Sequence, residues 1–251
     1  MASAPAAVPE LSLVVPIYDE EENLPILARE IAAALDPLGR PYEVLLVDDG
    51  STDGGPAVMA EIARRDPRVR IVRLRRNSGQ SAALVAGFRF ARGQVVVTLD
   101  ADLQNDPADI PRLLAGLDGS EAADVVCGVR THRRDSFLRR LSSRIANGVR
   151  NRMTGERITD VGCTLRVARA ELLRELPVFS GMHRFLPTLL KMQGAVVTEI
   201  PVNHRPRLHG QAKYGIGNRL FRALVDLFAV RWLRSRWIDR RLAEETTPGR
   251  P

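Results

Sequence analysis

Short apolar runs alternate with amphipathic stretches through the first half of the chain, and their order predicts strands alternating with helices. Residues 11–16 are apolar and strand-like; in 22–35, Leu24, Leu27, Ile31 and Leu35 recur at helical spacing. Residues 43–47 and 52–65 read as a second strand and helix, and 70–74 and 80–92 as a third pair. A fourth strand over 94–99 precedes a helix after Pro107. Residues 123–129 form one more strand. The pattern then loosens into basic helical segments, 136–153 and 183–193, separated by loops and the short strand 196–201. This alternation predicts an α/β fold with a mainly parallel sheet, right-handed crossovers and flanking helices.

Polar residues collect where the predicted strands end. The first strand runs into Tyr18-Asp19-Glu20-Glu21-Glu22-Asn23, the second into Asp48-Asp49-Gly50-Ser51-Thr52-Asp53, and the fourth into Asp100-Ala101-Asp102-Leu103-Gln104. In an open α/β sheet these carboxyl ends share one edge, where ligands bind. Two carboxylates and an amide oxygen make a hard-oxygen set suited to Mg²⁺ or Mn²⁺, which in turn can hold a diphosphate. The plainer alternative is an Asp-rich loop capping the helix at Pro107, but Asp106 alone can provide that cap. No G-x-G-x-x-G follows the first strand and no G-x-x-x-x-G-K-[ST] occurs, which argues against a dinucleotide oxidoreductase or a P-loop ATPase.

At 251 residues, with 45% hydrophobic and 27% charged positions, the chain suits one large domain or one domain with an appendage. Cys127 and Cys163 are too few for a disulfide framework and fit a reducing compartment. The first nine residues lack the features of a secretory signal, and no run approaches the roughly 20 apolar residues of a membrane span. Charge divides the chain. Residues 1–128 hold 12 basic against 20 acidic side chains, a net of −8, and residues 129–251 hold 25 against 10, a net of +15. An acidic half that gathers a cation, joined to an arginine-rich half that faces anions, suits a phosphate-rich substrate or an anionic surface. The run 130–144 reads equally as a solvated helix face or a phosphate-facing loop. With 5% aromatics and no recognised binding module, nucleic acid is not an expected partner.

The segments Val14-Val15-Pro16-Ile17-Tyr18-Asp19-Glu20-Glu21-Glu22-Asn23-Leu24, Val47-Asp48-Asp49-Gly50-Ser51-Thr52-Asp53 and Arg76-Asn77-Ser78-Gly79-Gln80-Ser81-Ala82-Ala83 resemble family 2 glycosyltransferases. Leu99-Asp100-Ala101-Asp102-Leu103-Gln104-Asn105-Asp106-Pro107 narrows the resemblance to the polyprenyl-phosphate sugar transferases: dolichol-phosphate mannose synthases and the bacterial undecaprenyl-phosphate glucosyl-, mannosyl- and aminoarabinosyl-transferases. Asp160-Val161-Gly162-Cys163-Thr164-Leu165-Arg166 and Arg207-Leu208-His209-Gly210-Gln211-Ala212-Lys213-Tyr214 match the same branch, so the likeness covers about residues 11–235. It implies a GT-A (nucleotide-diphospho-sugar transferase, Rossmann-like) fold and hexose transfer from a GDP- or UDP-linked sugar to a lipid phosphate. It also implies work on the cytoplasmic face of the membrane. An alternative within the family is a saccharide or other soluble acceptor.

Carried over by the resemblance, Pro16, Tyr18, Glu20, Asp48 and Asp49 surround the base and ribose, and Asp100, Asp102 and Gln104 hold the cation and diphosphate. Arg130 takes a phosphate position, Asp160 a reaction-centre position, and Arg207 with Lys213 the acceptor phosphate. Asp102, Asp160 and Arg130 are thus the expected catalytic group. A phosphate monoester has a second pKa of about 6 and attacks without losing a proton, so Asp160 is expected to position or polarise. The family usually has serine where this chain has Ala212, which removes a phosphate-binding hydroxyl.

The expected organisation is a tail over 1–10, the transferase domain over 11–215, an amphipathic helix over 216–241 and a tail over 242–251. On a helical wheel over 219–232, Leu220, Phe221, Leu224, Val225, Leu227, Phe228 and Trp232 share one arc, with Arg219, Arg222 and Asp226 opposite. Such a helix, with Trp237 and several arginines following, suits a membrane interface or packing on its own domain or a second copy. Many relatives continue into transmembrane helices. This chain is expected to bind the membrane peripherally or through a separate partner, and self-association is left open. His132, His183, His204 and His209 lack metal spacing, and Cys163 reads as a small buried residue.

Overall fold

The computed structural model describes residues 8–119, 123–131, 148, 150–153, 155, 158–208 and 217–238. Strands β1 (Leu11–Ile17), β2 (Tyr42–Asp48), β3 (Val69–Arg73), β4 (Val95–Thr98), β5 (Val125–Arg130), β6 (Arg166–Arg169) and β7 (Val197–Val202) form one sheet. Their order is β3-β2-β1-β4-β6-β5-β7. β1 pairs in parallel with β2 and β4, and β2 with β3; β6 runs antiparallel to both β4 and β5, and β5 is parallel to β7.

Among the described residues the helices include α1 (Leu24–Leu35), α2 (Gly55–Arg65), α3 (Gln80–Phe90), α4 (Ile110–Asp118), α5 (Ala170–Arg174), α6 (Leu186–Met192) and α7 (Gly217–Ser235). Asp106 caps the short 3-10 turn before α4, its side chain accepting the Ala108 N–H, which leaves Asp100 and Asp102 free of that duty. The strand Arg166–Arg169 is absent from the sequence reading. Most of the expected helix 136–153 lies outside the described residues, as do residues 209–216 with Lys213.

Alternation along the strands sorts the core onto two faces. Leu13, Val15, Leu46 and Val97 meet α1 and α4 on one side. Val14, Leu45, Val47 and Val96 meet Leu84 and Phe88 of α3, together with α6, on the other. Each such buried side chain contributes about 1.5–3 kcal/mol. α3 lies so close to β1 that a Cβ at Gly87 would land on Val14. The β4-facing carbonyls of β1 are those of even-numbered residues: Glu10 O accepts from Val95 N and Val14 O from Leu99 N. Pro16 follows in that series with no N–H to give, so the β1–β4 ladder ends and the strands part. The chain order also reverses between β1 and β4, which makes their carboxyl ends the mouth of a crevice.

α7 packs through a narrow stripe. Leu227 (5% exposed) and Val230 join the core, and Arg184 approaches Asp226 at 3.8 Å. Of the expected apolar arc, Leu224, Val225, Phe228 (61%) and Trp232 (65%) face outward, and the side chains of Leu220 and Phe221 lie outside the described residues. Among the described residues, no helix is long and apolar enough to cross a membrane.

Candidate active site

Three loops at the strand ends are bolted to one another by backbone N–H groups and carboxylates. Asp19, held at φ +50°, accepts from Thr52 N (2.7 Å); Asp53 accepts from Glu21 N (3.0 Å), and the Glu21 carboxylate accepts from Gly54 N (2.9 Å). Asp48 accepts the Ser51 N–H at 2.8 Å and lies 3.2 Å from Arg73 Nε. Asp49 accepts the N–H groups of Ser78 (2.7 Å) and Gly79 (2.8 Å), while burial raises its carboxyl above the ordinary range. Gly50 is required at φ +74°, because a Cβ there would meet Asn77 N at 2.7 Å. Asp48 and Asp49 thus build the crevice wall through their own hydrogen bonds. A recess of about 290 Å³ lined by Gly50, Ser51, Arg73, Leu74, Arg75 and Arg76 opens beside them. Glu20 accepts from Asn23 Nδ2 at 2.6 Å, at the entry to α1.

The carboxylate pair sits at the end of β4. Leu103, fully buried, takes φ +60°, a strained conformation for a bulky residue, and the turn is closed by Gln104 N–H to Asp102 at 3.1 Å. Asp100 receives Gln80 Nε2 at 2.8 Å and the Thr164 hydroxyl. Burial, and then the charge of Asp102, push the Asp100 carboxyl up to about 6, against the easing effect of Thr164, Arg166 and Gln80. Asp102 receives Arg207 Nη2 at 2.7 Å.

Gln80, Thr164 and Arg166 are the residues the sequence reading passed over. Arg166 is 3% exposed and donates to the carbonyls of Val161 (3.0 Å) and His183 (3.4 Å). Its signal was present as an arginine inside the apolar run Leu165-Arg166-Val167-Ala168, since a buried guanidinium needs acceptors and a counter-charge. His183 is anchored by Ser81 Oγ at 2.8 Å from Nδ1, next door to Gln80.

Arg130 and Asp160, given separate roles by the resemblance, pair with each other. Arg130 Nε and Nη2 meet the two Asp160 oxygens at 2.7 and 2.8 Å, and Gly162 N–H adds a bond at 3.1 Å. The segment carrying Arg207 is stitched to the Asp loop. Arg205 N–H donates to Gln104 O (2.9 Å), Arg205 pairs with Asp106 (2.6 Å) and Glu30 (2.8 Å), and Asn105 bridges His204. Cys127 and Cys163 are buried, their thiols pushed up to about 11 by burial.

The neighbouring carboxylates of Asp100 and Asp102 have the chemistry of a hard divalent-cation site. Two neighbouring carboxylates, one of them raised to about 6 by burial and its neighbour's charge, offer oxygen ligands to a cation, with Arg207 paired to Asp102. Among the described residues no group of three His, Cys, Asp or Glu is placed to hold a metal ion.

Residues 12–177 match the family model described as "Glycosyl transferase family 2". The undecaprenyl-phosphate 4-deoxy-4-formamido-L-arabinose transferase of Edwardsiella ictaluri is 41% identical over 218 residues, 86% of this chain and 66% of that protein. The dodecaprenyl-phosphate galacturonate synthase of Rhizobium johnstonii is 41% identical over 225 residues, 88% of this chain and again 66% of that protein. The chain therefore spans just under two thirds of the length of these relatives. Among solved structures, glucosyl-3-phosphoglycerate synthase from Mycobacterium tuberculosis with Mg²⁺ and uridine-diphosphate superposes with a TM-score of 0.67 at 18% identity. It covers 93% of this chain and 82% of that one. The same enzyme with phosphoglyceric acid gives 0.65 at 19%, with the same coverage. The likeness is one of fold, and it is the GT-A fold.

Proposed function

Because this chain belongs to glycosyl transferase family 2, we propose that it moves a sugar from a GDP- or UDP-linked donor to a polyprenyl phosphate, inverting the anomeric carbon. The meeting of Asp102 and Arg207, 105 residues apart in sequence, carries this reading. A carboxylate suited to a cation and a guanidinium suited to an anion meet at one point of the crevice, which supports a site that joins a diphosphate and a phosphate. The relatives that act on undecaprenyl and dodecaprenyl phosphates support the lipid acceptor.

Asp100, Asp102 and Gln104 would hold Mg²⁺ or Mn²⁺, which when bound offsets the charge developing on the departing nucleoside diphosphate. Pro16, Tyr18, Glu20 and the wall built by Asp48 and Asp49 border the nucleotide end. The acceptor phosphate, largely dianionic at neutral pH, attacks the anomeric carbon through its own oxygen, so no protein base is needed. Arg207 and Lys213 lower the repulsion between that dianion and the donor diphosphate. Both Asp160 oxygens accept from Arg130, which suits an aspartate that orients a phosphate-facing guanidinium and takes no proton.

The outward Leu224, Val225, Phe228 and Trp232, with exposed Arg231, Arg234 and Arg236 beside them, suit an anionic bilayer surface where a lipid acceptor is met. This surface would bring the site to the cytoplasmic face of the membrane.

The test is to incubate the protein with Mg²⁺ or Mn²⁺, undecaprenyl phosphate and labelled UDP- and GDP-sugars, galacturonate and 4-deoxy-4-formamido-L-arabinose among them. Label that enters the organic phase supports the proposal. Label that enters only added glycerol 3-phosphate or an oligosaccharide replaces the lipid with a soluble acceptor.

A further inference from the structure

We propose that Glu199 is a positioning residue for the reaction centre: from β7 it holds the turn that carries Asp160, and so orients the Arg130 guanidinium that Asp160 grips. The inference rests on the functional reading above and adds a residue to it.

Three neighbouring strands set opposite charges in one row. Cys127 of β5 stands beside Arg166 of β6 on one side and Glu199 of β7 on the other. Residues paired in this way share a face of the sheet, and two strand spacings put the outer backbones about 10 Å apart. Both long side chains reach the same turn, residues 159–161, ahead of β6. Glu199 Oε1 accepts from Thr159 N at 2.8 Å and from Asp160 N at 3.4 Å, while Oε2 accepts the Thr159 hydroxyl at 2.6 Å. Arg166 donates to Val161 O at 3.0 Å. The chain before and after Asp160 is thus held by groups of opposite sign, a carboxylate on N–H and a guanidinium on C=O.

The hold on the turn passes to Arg130. The Asp160 oxygens accept Arg130 Nε and Nη2 at 2.7 and 2.8 Å, and Arg130 N–H adds a bond at 3.2 Å. In such a two-point pair the planar guanidinium follows the carboxylate. Arg130 and Glu199 also stand on strands paired to each other, through Arg130 with Val202 and Cys127 with Glu199. A shift of the turn against this pair of strands therefore turns the guanidinium away from the acceptor phosphate.

Reach and an acceptor oxygen are what this role requires of Glu199. Glutamine keeps both: its carbonyl oxygen takes the two N–H groups, and its amide donates to Thr159 Oγ1. Aspartate keeps the charge but is one methylene too short. A tether and a simple negative charge therefore rank these two substitutions in opposite orders.

Transfer of label from the UDP- and GDP-sugars named above to undecaprenyl phosphate gives separate KM values for donor and acceptor. Glu199→Asp raises the acceptor KM about three- to tenfold and leaves the donor KM within about twofold, whereas Glu199→Gln stays within about twofold of the parent in both. Thr159→Val, which deletes one bond from the side of the turn, shifts the acceptor KM in the same direction by less. Amide exchange over residues 159–162, read by mass spectrometry on the whole protein, is faster in Glu199→Asp and parent-like in Glu199→Gln, and needs no turnover. An unchanged acceptor KM or unchanged exchange in Glu199→Asp overturns the positioning role. So does a Glu199→Gln as impaired as Glu199→Asp, or a donor KM that rises equally. A parent that transfers label to undecaprenyl phosphate from none of these donors overturns the functional reading instead, and exchange then still decides whether Glu199 holds the turn.

Discussion

Gln80, the first residue of α3, donates Nε2 to Asp100 Oδ1 at 2.8 Å, so a helix packed against one face of the sheet orients the carboxylate at the tip of β4. Removing the amide with Gln80→Leu leaves Asp100 held by Thr164 alone among neutral donors. Transfer at saturating cation should fall about tenfold, the cost of one hydrogen bond to a charged group. Steady-state kinetics beside a thermal melt checks this: an unchanged rate in a folded variant would remove Gln80 from the site.

Asp100 also sets a dependence of stability on pH. Its folded pKa of about 6 lies above the ordinary 3.8, so the native state binds the extra proton between those values. Stability from this group therefore declines as pH rises from about 4 to about 6 and stays low above that. Asp100→Asn lacks the penalty. In cation-free buffer its stability relative to the parent should rise across the same window and plateau at about 3 kcal/mol. Urea unfolding at pH 4.5 and 7.5 measures the difference; a gap that does not change with pH contradicts it.

Arg130 and Asp160 form a largely buried two-point pair, so breaking it from one side should cost more than removing both partners. Arg130→Met takes the guanidinium from a buried carboxylate that keeps its backbone N–H bonds and should destabilise by about 3 kcal/mol, whereas Arg130→Met with Asp160→Leu should recover much of that loss. Denaturant midpoints for the two single variants and the double variant complete the cycle.

On α7, neighbours one residue apart should behave oppositely. Leu227→Ala empties a core position and should cost about 2–3 kcal/mol. Phe228→Ser with Trp232→Ser should leave the melting temperature within a degree or two while weakening pelleting with phosphatidylglycerol vesicles about tenfold or more. Retained pelleting would send the search for a lipid-binding surface elsewhere.

The thiols of Cys127 and Cys163 should be silent in the native state. Both are buried with pKa values near 11, so thiolate is scarce and shielded at pH 8. Ellman's reagent should titrate them only after denaturant is added.

The first four strands and helices were legible because each reports itself locally. Leu24, Leu27, Ile31 and Leu35 mark α1, and the apolar run of β4 is bounded by Gly93 and Asp100. The three loops were legible because acidic residues follow apolar runs. β6 was not, since its four residues Arg166–Arg169 are half arginine and gain strand character only from pairing with β4 and β5, far away in sequence. Partnerships were hidden for the same reason. Asp160 and Arg130 are visible as charged residues, but nothing local says that they satisfy each other, or that Gln80 rather than a nearer residue reaches Asp100. The apolar arc of α7 was visible too, while its split into a packed stripe and an outward face depends on the sheet beneath it.

The reversing strand β6 divides the sheet into β3-β2-β1-β4 on one side and β5-β7 on the other. Asp48, Asp49, Asp100 and Asp102 hang from the first group; Arg130 closes β5, and the segment bearing Arg207 leaves from β7. The Arg207–Asp102 and Arg205–Asp106 contacts cross this seam, so a substitution on the β5–β7 flank that shortened or removed either arginine would be felt by the carboxylates of the other flank.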